Sequence, residues 1–222
     1  VVSGFSLPGT YSIAGTNLNG CSDTISITVN TKPVFNDEVI CQGTDKLLSN
    51  TLSGVSGSYT QLGSSPNSLT FTNVGGTNTL VSGFNNTGNY SIIFTSSSGC
   101  KDTAVFTVYA NPDVTLSNIN ICGIGVSTTM TATSSSSGIF YFSFGSGSQN
   151  CQTGSFIGNI SNSTGVVNLP SQIINNIGTY TGRVIFVDGT TGCRDTVCNT
   201  IIVNAKPDVT ATATPSAICS GT

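Results

Sequence analysis

The chain has 222 residues, of which only 7% are charged, and its formal net charge is −3. An average soluble domain is roughly 25% charged, and neither sign of charge is clustered here, which excludes an electrostatic surface for nucleic acid or anionic lipid. The sequence contains no His, which excludes Ser-His-Asp and Cys-His catalysis and His-ligated metal sites.

The eight cysteines predict an oxidising, extracellular setting. No C-x-x-C pair occurs, so paired disulfides are favoured over a redox motif or a zinc site. The longest apolar runs, such as Tyr90 to Phe94, fall far short of the roughly 20 residues that span a bilayer. We therefore expect no membrane insertion of this segment. Residues 1–5 lack the basic and apolar regions of a signal peptide, so we expect any signal to lie outside this sequence.

The first predicted element in chain order is a hairpin, and it recurs twice. A Gly-x-Tyr block is followed by a Gly-Cys-x-Asp-Thr block and then by a proline. Polar and apolar residues alternate on both sides of the Gly-Cys turn, which is typical of antiparallel strands with one buried face. The three copies contain Tyr11 and Cys21, Tyr90 and Cys100, and Tyr180 and Cys193.

A second block follows each proline and ends in Ile-Cys. Each such block opens a unit that the next Tyr-and-Cys hairpin closes. The blocks run from Pro33 to Cys41, from Pro112 to Cys122, and from Pro207 to Cys219.

These repeats predict an excerpt from a longer array of all-β domains. Helix should be nearly absent, and about seven short strands per unit indicate tandem immunoglobulin-like antiparallel β-sandwiches arranged as a rod. The predicted boundaries are the C-terminal part of a preceding domain at 1–32, complete domains at 33–111 and 112–206, the latter with insertions, and the N-terminal part of a following domain at 207–222.

The Gly-x-Tyr tyrosines are predicted to form tyrosine corners. A tyrosine at the start of the sixth strand can donate its hydroxyl to the backbone a few residues upstream. The alternative is an exposed aromatic platform for a sugar. The residues concerned are Tyr11, Tyr90 and Tyr180.

The repeated blocks resemble the PKD-like and Ig-like repeats of giant secreted proteins of Bacteroidetes, including gliding-motility adhesins and other type IX secretion cargo. The residues that carry the resemblance are Gly-Thr-Tyr at 9–11, Gly-Cys-x-Asp-Thr at 20–24, 99–103 and 192–196, and Ile-Cys-x-Gly at 40–43 and 218–221. The resemblance implies an extended cell-surface stalk or adhesin and identifies no ligand.

The Asp-Thr pairs have two compatible interpretations. The aspartate can accept hydrogen bonds from turn amides just after Gly-Cys. The resemblance adds that Asp-Thr followed by a small or aliphatic residue looks like the O-glycosylation acceptor of these bacteria, so the protein is expected to be a glycoprotein. The candidate acceptors are Thr24, Thr103 and Thr196.

The simplest disulfide pairing lies within units, with the remaining cysteines bonded outside the excerpt. Strand counting raises an objection, because the two cysteines of a unit fall at opposite ends of a sandwich, whereas a disulfide needs Cα atoms within about 7 Å. Either a non-standard strand order brings them together, or Cys41 bonds across the junction to Cys193. The within-unit pairs are Cys41 with Cys100, Cys122 with Cys193, and Cys151 with Cys198, which leaves Cys21 and Cys219 to outside partners.

The acidic residues predict no catalytic site. Asp37 and Glu38 are adjacent, so on a strand they point to opposite faces and cannot form a carboxylate pair across a cleft. No cofactor is expected. Calcium at domain junctions is the one alternative, with Asp113 and Asp208 as ligands; otherwise these are solvated turn residues.

Two functions remain. The first is a non-enzymatic, disulfide-stabilised stalk or filament of a bacterial cell-surface protein, whose partners are the neighbouring repeats, surface glycans or other cells. The second is a carbohydrate-binding accessory array of a secreted hydrolase, for which Tyr59, Tyr109 and Tyr141 are the available sugar platforms.

Overall fold

The computed structural model describes residues 1–63, 66–169 and 174–212. Every regular element in these ranges is a β-strand. None of the described residues forms a helix long and apolar enough to cross a membrane. The chain divides into two compact units, Val1–Asn111 and Pro112–Thr222. The all-β class predicted from the alternating sequence pattern is confirmed.

The first hairpin forms a two-stranded sheet of its own. β1 (Gly9–Thr16) and β2 (Ser22–Val29) pair antiparallel, with Tyr11 opposite Ile27. The apolar face of this sheet is poorly covered, and Ile25 is 59% exposed. In the two later copies the corresponding face is buried.

Segment 33–111 forms a sandwich of two sheets. The larger sheet has the strand order β3-β10-β9-β6-β5 and the smaller has the order β4-β8-β7. The strands are β3 (Glu38–Cys41), β4 (Lys46–Ser49), β5 (Thr51–Leu52), β6 (Val55–Leu62), β7 (Thr70–Val74), β8 (Asn78–Ser82), β9 (Gly88–Ser96) and β10 (Lys101–Tyr109).

Segment 112–206 shares the central strands of this plan and differs in the outer ones. Its sheets have the orders β12-β18-β17-β14-β15 and β11-β13-β16. The strands are β11 (Val114–Leu116), β12 (Ile119–Cys122), β13 (Thr128–Ser134), β14 (Gly138–Ser146), β15 (Ile157–Asn162), β16 (Val166–Leu169), β17 (Gly178–Asp188) and β18 (Arg194–Asn204).

Each sandwich has a core between its two sheets because alternate residues of the strands are apolar. In β9, for example, Tyr90, Ile92 and Phe94 are fully buried and the residues between them face outward. Two packed sheets with the closing hairpin in one of them and a strand order of this kind are immunoglobulin-like. The predicted fold class is therefore confirmed for both segments.

The first strand of the larger sheet runs parallel to the last strand in both segments. β3 pairs with β10, where Cys41 lies opposite Tyr109, and β12 pairs with β18, where Cys122 lies opposite Asn204. The cysteine that opens each domain therefore lies at the end where the last strand leaves it.

The two sandwiches differ in their outer strands, and among these β11 pairs with β13 in 112–206 but has no counterpart among the described strands of 33–111. After β6 the chain crosses to the smaller sheet and forms β7, whereas after β14 it stays in the larger sheet and forms β15. The insertion 147–156 lies between β14 and β15 and contains Cys151. This insertion shapes the outer face of the second sandwich.

Candidate functional site

The three Gly-x-Tyr tyrosines all bond to the backbone four residues upstream. The hydroxyl of Tyr11 donates to the carbonyl of Leu7 at 2.8 Å, and that of Tyr180 donates to the carbonyl of Asn176 at 3.1 Å. Tyr90 donates to the carbonyl of Asn86 at 3.0 Å. This is the geometry of a tyrosine corner, and burial of Tyr90 and Tyr180 leaves no open ring face for a sugar.

The aspartates of the Asp-Thr pairs hold the start of their own domain. Oδ2 of Asp102 accepts the backbone N–H of Phe35 at 2.9 Å, and Oδ2 of Asp195 accepts that of Val114 at 3.3 Å. Sequence reasoning expected only local bonds, such as that from Thr196 N–H to Asp195 Oδ1 at 2.8 Å. The distant partner was missed because it lies 67 residues away from Asp102.

The environment of Asp102 favours its ionised form. The hydrogen bond from the Phe35 backbone, followed by the nearby Lys32 ammonium, lowers the pKa of the Asp102 carboxyl below its ordinary value. The Asp102 side chain is 23% exposed, so the charge of Lys32 is partly screened by solvent.

The entry and exit of each sandwich therefore lie at opposite ends of its last strand. The chain enters 33–111 beside Asp102, near the start of β10, and leaves from Tyr109 at its end. It enters 112–206 beside Asp195, near the start of β18, and leaves after Asn204.

The predicted pairings of Cys41 with Cys100 and of Cys122 with Cys193 are not formed. Cys100 and Cys122 carry free thiols, whereas Cys41 and Cys193 are both disulfide-bonded. Cys41 lies opposite Tyr109, and Cys100 directly precedes the other end of β10, roughly 30 Å away at about 3.3 Å per residue. The same geometry separates Cys122 from Cys193.

Cys151 and Cys198 form a disulfide whose Cα atoms are 5.7 Å apart. Cys198 lies on β18 opposite Arg183 of β17, so the bond fixes the insertion 147–156 to the outer face of the larger sheet. Cys21 also carries a free thiol, and Cys219 lies outside the described residues.

The candidate glycosylation threonines differ in exposure. Thr24 and Thr103 are exposed, and Thr196 is half-buried. Each lies in the second strand of its hairpin, next to the aspartate. The hydroxyls of Thr24 and Thr103 are therefore accessible from solvent.

The remaining acids have structural roles or lie exposed. Oδ1 of Asp37 accepts the backbone N–H of Val105 at 2.7 Å, and Glu38 forms an ion pair with Lys46. Asp113 and Asp208 are exposed. Within residues 1–63, 66–169 and 174–212 no three acids or cysteines cluster as metal ligands.

The three other tyrosines occupy different environments. Tyr59 was expected to be available to sugars, but it is only 5% exposed and its hydroxyl bonds to the carbonyl of Ser49, so this expectation is wrong. Burial raises the pKa of Tyr59 to about 12. Tyr109 is 41% exposed, and Tyr141 lines a cleft of about 570 Å³ together with Phe156 and Arg183.

Sequence reasoning missed the arginines of this cleft. The signal was present, because alternation along β17 places Arg183 on the outer face when Val184 and Phe186 are in the core. The insertion that supplies Phe156 has no repeat counterpart, so its fold was not predictable from the other copies.

No protein-family model matches the chain, and neither does any curated protein. Among solved structures, the fibronectin(III)-like modules of Clostridium thermocellum CbhA are 18% identical, with 77% of this chain and 90% of that chain covered and a TM-score of 0.37. Extracellular domains 3–5 of Drosophila OTK are 12% identical, with 90% of this chain and 72% of that chain covered and a TM-score of 0.37. The I9–I11 tandem from titin is 15% identical, with 89% of this chain and 74% of that chain covered and a TM-score of 0.35.

Proposed function

We propose that this chain is a non-enzymatic, structural and adhesive repeat region of an extracellular surface protein. The observation that carries the proposal is the placement of entry and exit at opposite ends of each sandwich. Domains built in this way can be joined in a row without a long return connection, which suits a stalk that holds a binding region away from a surface.

Other features support an extracellular stalk. Disulfides persist in oxidising compartments, and a surface of hydroxyls and amides with few charges is compatible with exposure to proteases and mechanical load.

The domains are taken as 33–111 and 112–206, flanked by parts of a preceding and a following repeat. The bacterial gliding-motility and type IX secretion setting, and glycosylation at Thr24, Thr103 and Thr196, belong to the same proposal.

Small-angle X-ray scattering tests the stalk. A single compact body of 222 residues has a radius of gyration of about 17 Å. The stalk predicts a clearly larger value and an elongated distance distribution for the full chain under oxidising conditions. A value near that of the compact body contradicts it.

The cysteine pairing is proposed as a bond between consecutive domains, from Cys41 to Cys193. Cys41 lies where the last strand leaves its domain, and Cys193 directly precedes the strand beside which the chain enters the next domain. By the same rule, the thiols of Cys21, Cys100 and Cys122 bond to neighbouring repeats in a longer protein. Repeated bonds of this kind would resist bending of the stalk.

Non-reducing peptide mapping of the full chain tests this connectivity. The expected products are a cross-linked peptide pair that contains Cys41 and Cys193 and a second pair that contains Cys151 and Cys198. Recovery of Cys41 linked to Cys100 would contradict the proposal.

A second candidate function is a carbohydrate-binding accessory array of a secreted hydrolase. The cleft at Tyr141 favours it, because aromatic side chains in a concave site can pack against sugar rings. Glycan-array binding by the full chain, and its loss on Tyr141→Ala, would support this role; the absence of any glycan binding would remove it.

A further inference from the structure

The cleft at Tyr141 lies on the outer face of the larger sheet of 112–206. Outward residues of β14 and β17 form its floor, since the residues that alternate with them, such as Phe142 and Val184, are fully buried in the core. The volume of about 570 Å³ is within the usual range of ligand sites.

The insertion 147–156 builds one wall of the cleft. The Cys151–Cys198 disulfide fixes it to β18. The backbone N–H of Gln149 also donates to Oγ1 of Thr181 at 2.9 Å, and that hydroxyl donates to the carbonyl of Gly147 at 2.9 Å. These bonds fix the insertion to two neighbouring strands, β18 and β17, and Phe156 is its last residue.

Arg183 is held in a defined position inside this cleft. Its guanidinium carbon lies 4.0 Å from the ring centroid of Phe156, and its Nε–H donates to Oγ of Ser143 at 3.0 Å. Ser143 is only 6% exposed. Because these two contacts already hold the Arg183 side chain, it loses little conformational freedom when a ligand binds. Its terminal N–H groups remain available as hydrogen-bond donors to that ligand.

The cleft concentrates positive charge. Arg183 and Arg194 are the only two arginines in the sequence, and both line it. No carboxylate is among its lining residues, and neither arginine takes part in an ion pair within the described part of the chain. In a protein with a net charge of −3, this favours an anionic ligand.

The corresponding face of 33–111 lacks these features. Lys101 occupies the position of Arg194, directly after the hairpin cysteine. Phe94 and Phe186 occupy equivalent positions opposite the Asp-Thr aspartates of their hairpins, and in that alignment Ser91 corresponds to Arg183. The cleft is therefore specific to the second sandwich and is not a general property of the repeat.

We infer that this cleft binds a carboxylated polysaccharide, one built of uronic acid residues. Each guanidinium presents a planar fork of donors that matches a carboxylate, so Arg183 and Arg194 can each bind an acid group of the same sugar chain. The ring of Tyr141 and the side chain of Ile185 supply apolar surface for sugar rings. The inference rests on the second candidate function and is independent of the stalk.

Titration calorimetry of the full chain with oligogalacturonate tests the inference at low and at physiological salt. We expect binding that weakens roughly tenfold or more in Arg183→Ala and in Arg194→Ala, since each loses a charge-assisted contact. Arg183→Lys and Arg194→Lys keep the charge but lose the fork, and should fall between wild type and alanine. Lys101→Ala is the matched control, at the same repeat position, and should change binding less than twofold.

The outcomes separate the inference from the function on which it rests. Binding of a neutral oligosaccharide without binding of oligogalacturonate keeps the carbohydrate role and overturns the inference. Equal binding of polyglutamate shows that charge alone is recognised and also overturns it. Oligogalacturonate binding that survives both alanine substitutions places the site elsewhere. No binding of any sugar overturns both the inference and the second candidate function.

Discussion

At the residue scale, two glycines mark places where neighbouring strands leave no room for a side chain. A Cβ atom at Gly57 would lie 2.3 Å from the carbonyl oxygen of Thr95 and 2.5 Å from the ring of Phe94. At Gly138 the corresponding distances are 2.1 Å to Val187 and 2.6 Å to the ring of Phe186. The phenylalanine ring thus covers a bare stretch of backbone in both sandwiches.

We predict that Gly57→Ala and Gly138→Ala each destabilise their sandwich by about 1–3 kcal/mol, because the ring and the neighbouring backbone must shift. Urea unfolding followed by tyrosine fluorescence measures this. Gly15→Ala is the control, since nothing lies within 4 Å of its added Cβ; it should change the free energy of unfolding by less than about 0.5 kcal/mol. Equal effects at all three positions would contradict the packing argument.

Asp102 provides a pH-dependent prediction at the same scale. The folded state lowers its pKa, so the stability that it contributes is present above the unfolded pKa of about 3.9 and is lost as the pH falls through the lower folded value. Asp102→Asn should therefore cost about 1 kcal/mol at pH 7, a value reduced by solvent exposure.

The difference between wild type and Asp102→Asn should stay constant from pH 7 to pH 5 and shrink below about pH 4. Denaturant unfolding across this range measures it. Asp23→Asn is the control, because Asp23 bonds to the neighbouring Thr24 N–H in a hairpin without a sandwich. A constant difference down to pH 2 would show that the charge of Asp102 is not involved.

At the scale of elements, the hairpins could be predicted and the first strands could not. Alternation around Gly-Cys identifies β9 and β10 because each strand lies next to its partner in sequence. The parallel pairing of β3 with β10 joins residues 68 positions apart, such as Glu38 and Phe106, and leaves no local pattern. Of the three within-domain cysteine pairs, Cys151–Cys198 is confirmed. The pairs Cys41–Cys100 and Cys122–Cys193 are wrong, because their members lie at opposite ends of the last strand, as the strand count indicated.

The Cys151–Cys198 disulfide should make a large contribution to the free energy of unfolding of the second sandwich, a contribution that the first sandwich lacks. The sequence separation is 47 residues, for which the chain-entropy model gives roughly 4 kcal/mol. Cys151→Ser combined with Cys198→Ser should lower the free energy of unfolding by up to about this amount. Differential scanning calorimetry under non-reducing conditions measures it.

Cys122→Ser is the matched control for the disulfide, because Cys122 is exposed and carries a free thiol. It should leave the transition temperature unchanged. If the double variant melts like wild type, the insertion is held by its hydrogen bonds to Thr181 alone.

At the scale of the whole molecule, sequence repeats predicted the all-β, immunoglobulin-like class of the fold, while the cleft depends on contacts that repeats do not encode. In 33–111 and 112–206 the tyrosine corner lies where the chain crosses from the smaller sheet into the closing hairpin of the larger sheet. Phe156 and Cys151 belong to an insertion present in one copy only, so comparison between copies carried no information about where the insertion folds.

The parallel first and last strands determine how each domain should respond to force. A pull on the two ends of 33–111 acts along β3 and β10, because the chain enters near Asp102 and leaves from Tyr109. The hydrogen bonds between these strands are then loaded together in shear. This row of hydrogen bonds between β3 and β10, called the parallel seam below, continues into the bond from the Gln42 N–H to the Tyr109 carbonyl at 2.8 Å.

Single-molecule stretching of the fully reduced chain should show two unfolding events. Their length increments should approach roughly 280 Å for 33–111 and 340 Å for 112–206, less the folded lengths, at about 3.6 Å per residue. Gln42→Pro removes the N–H donor at the seam and should lower the unfolding force of the shorter event alone. Gln42→Ala loses the side chain but keeps the donor, so its unfolding force should match wild type; an equal loss of force in both variants would show that the parallel seam does not bear the load.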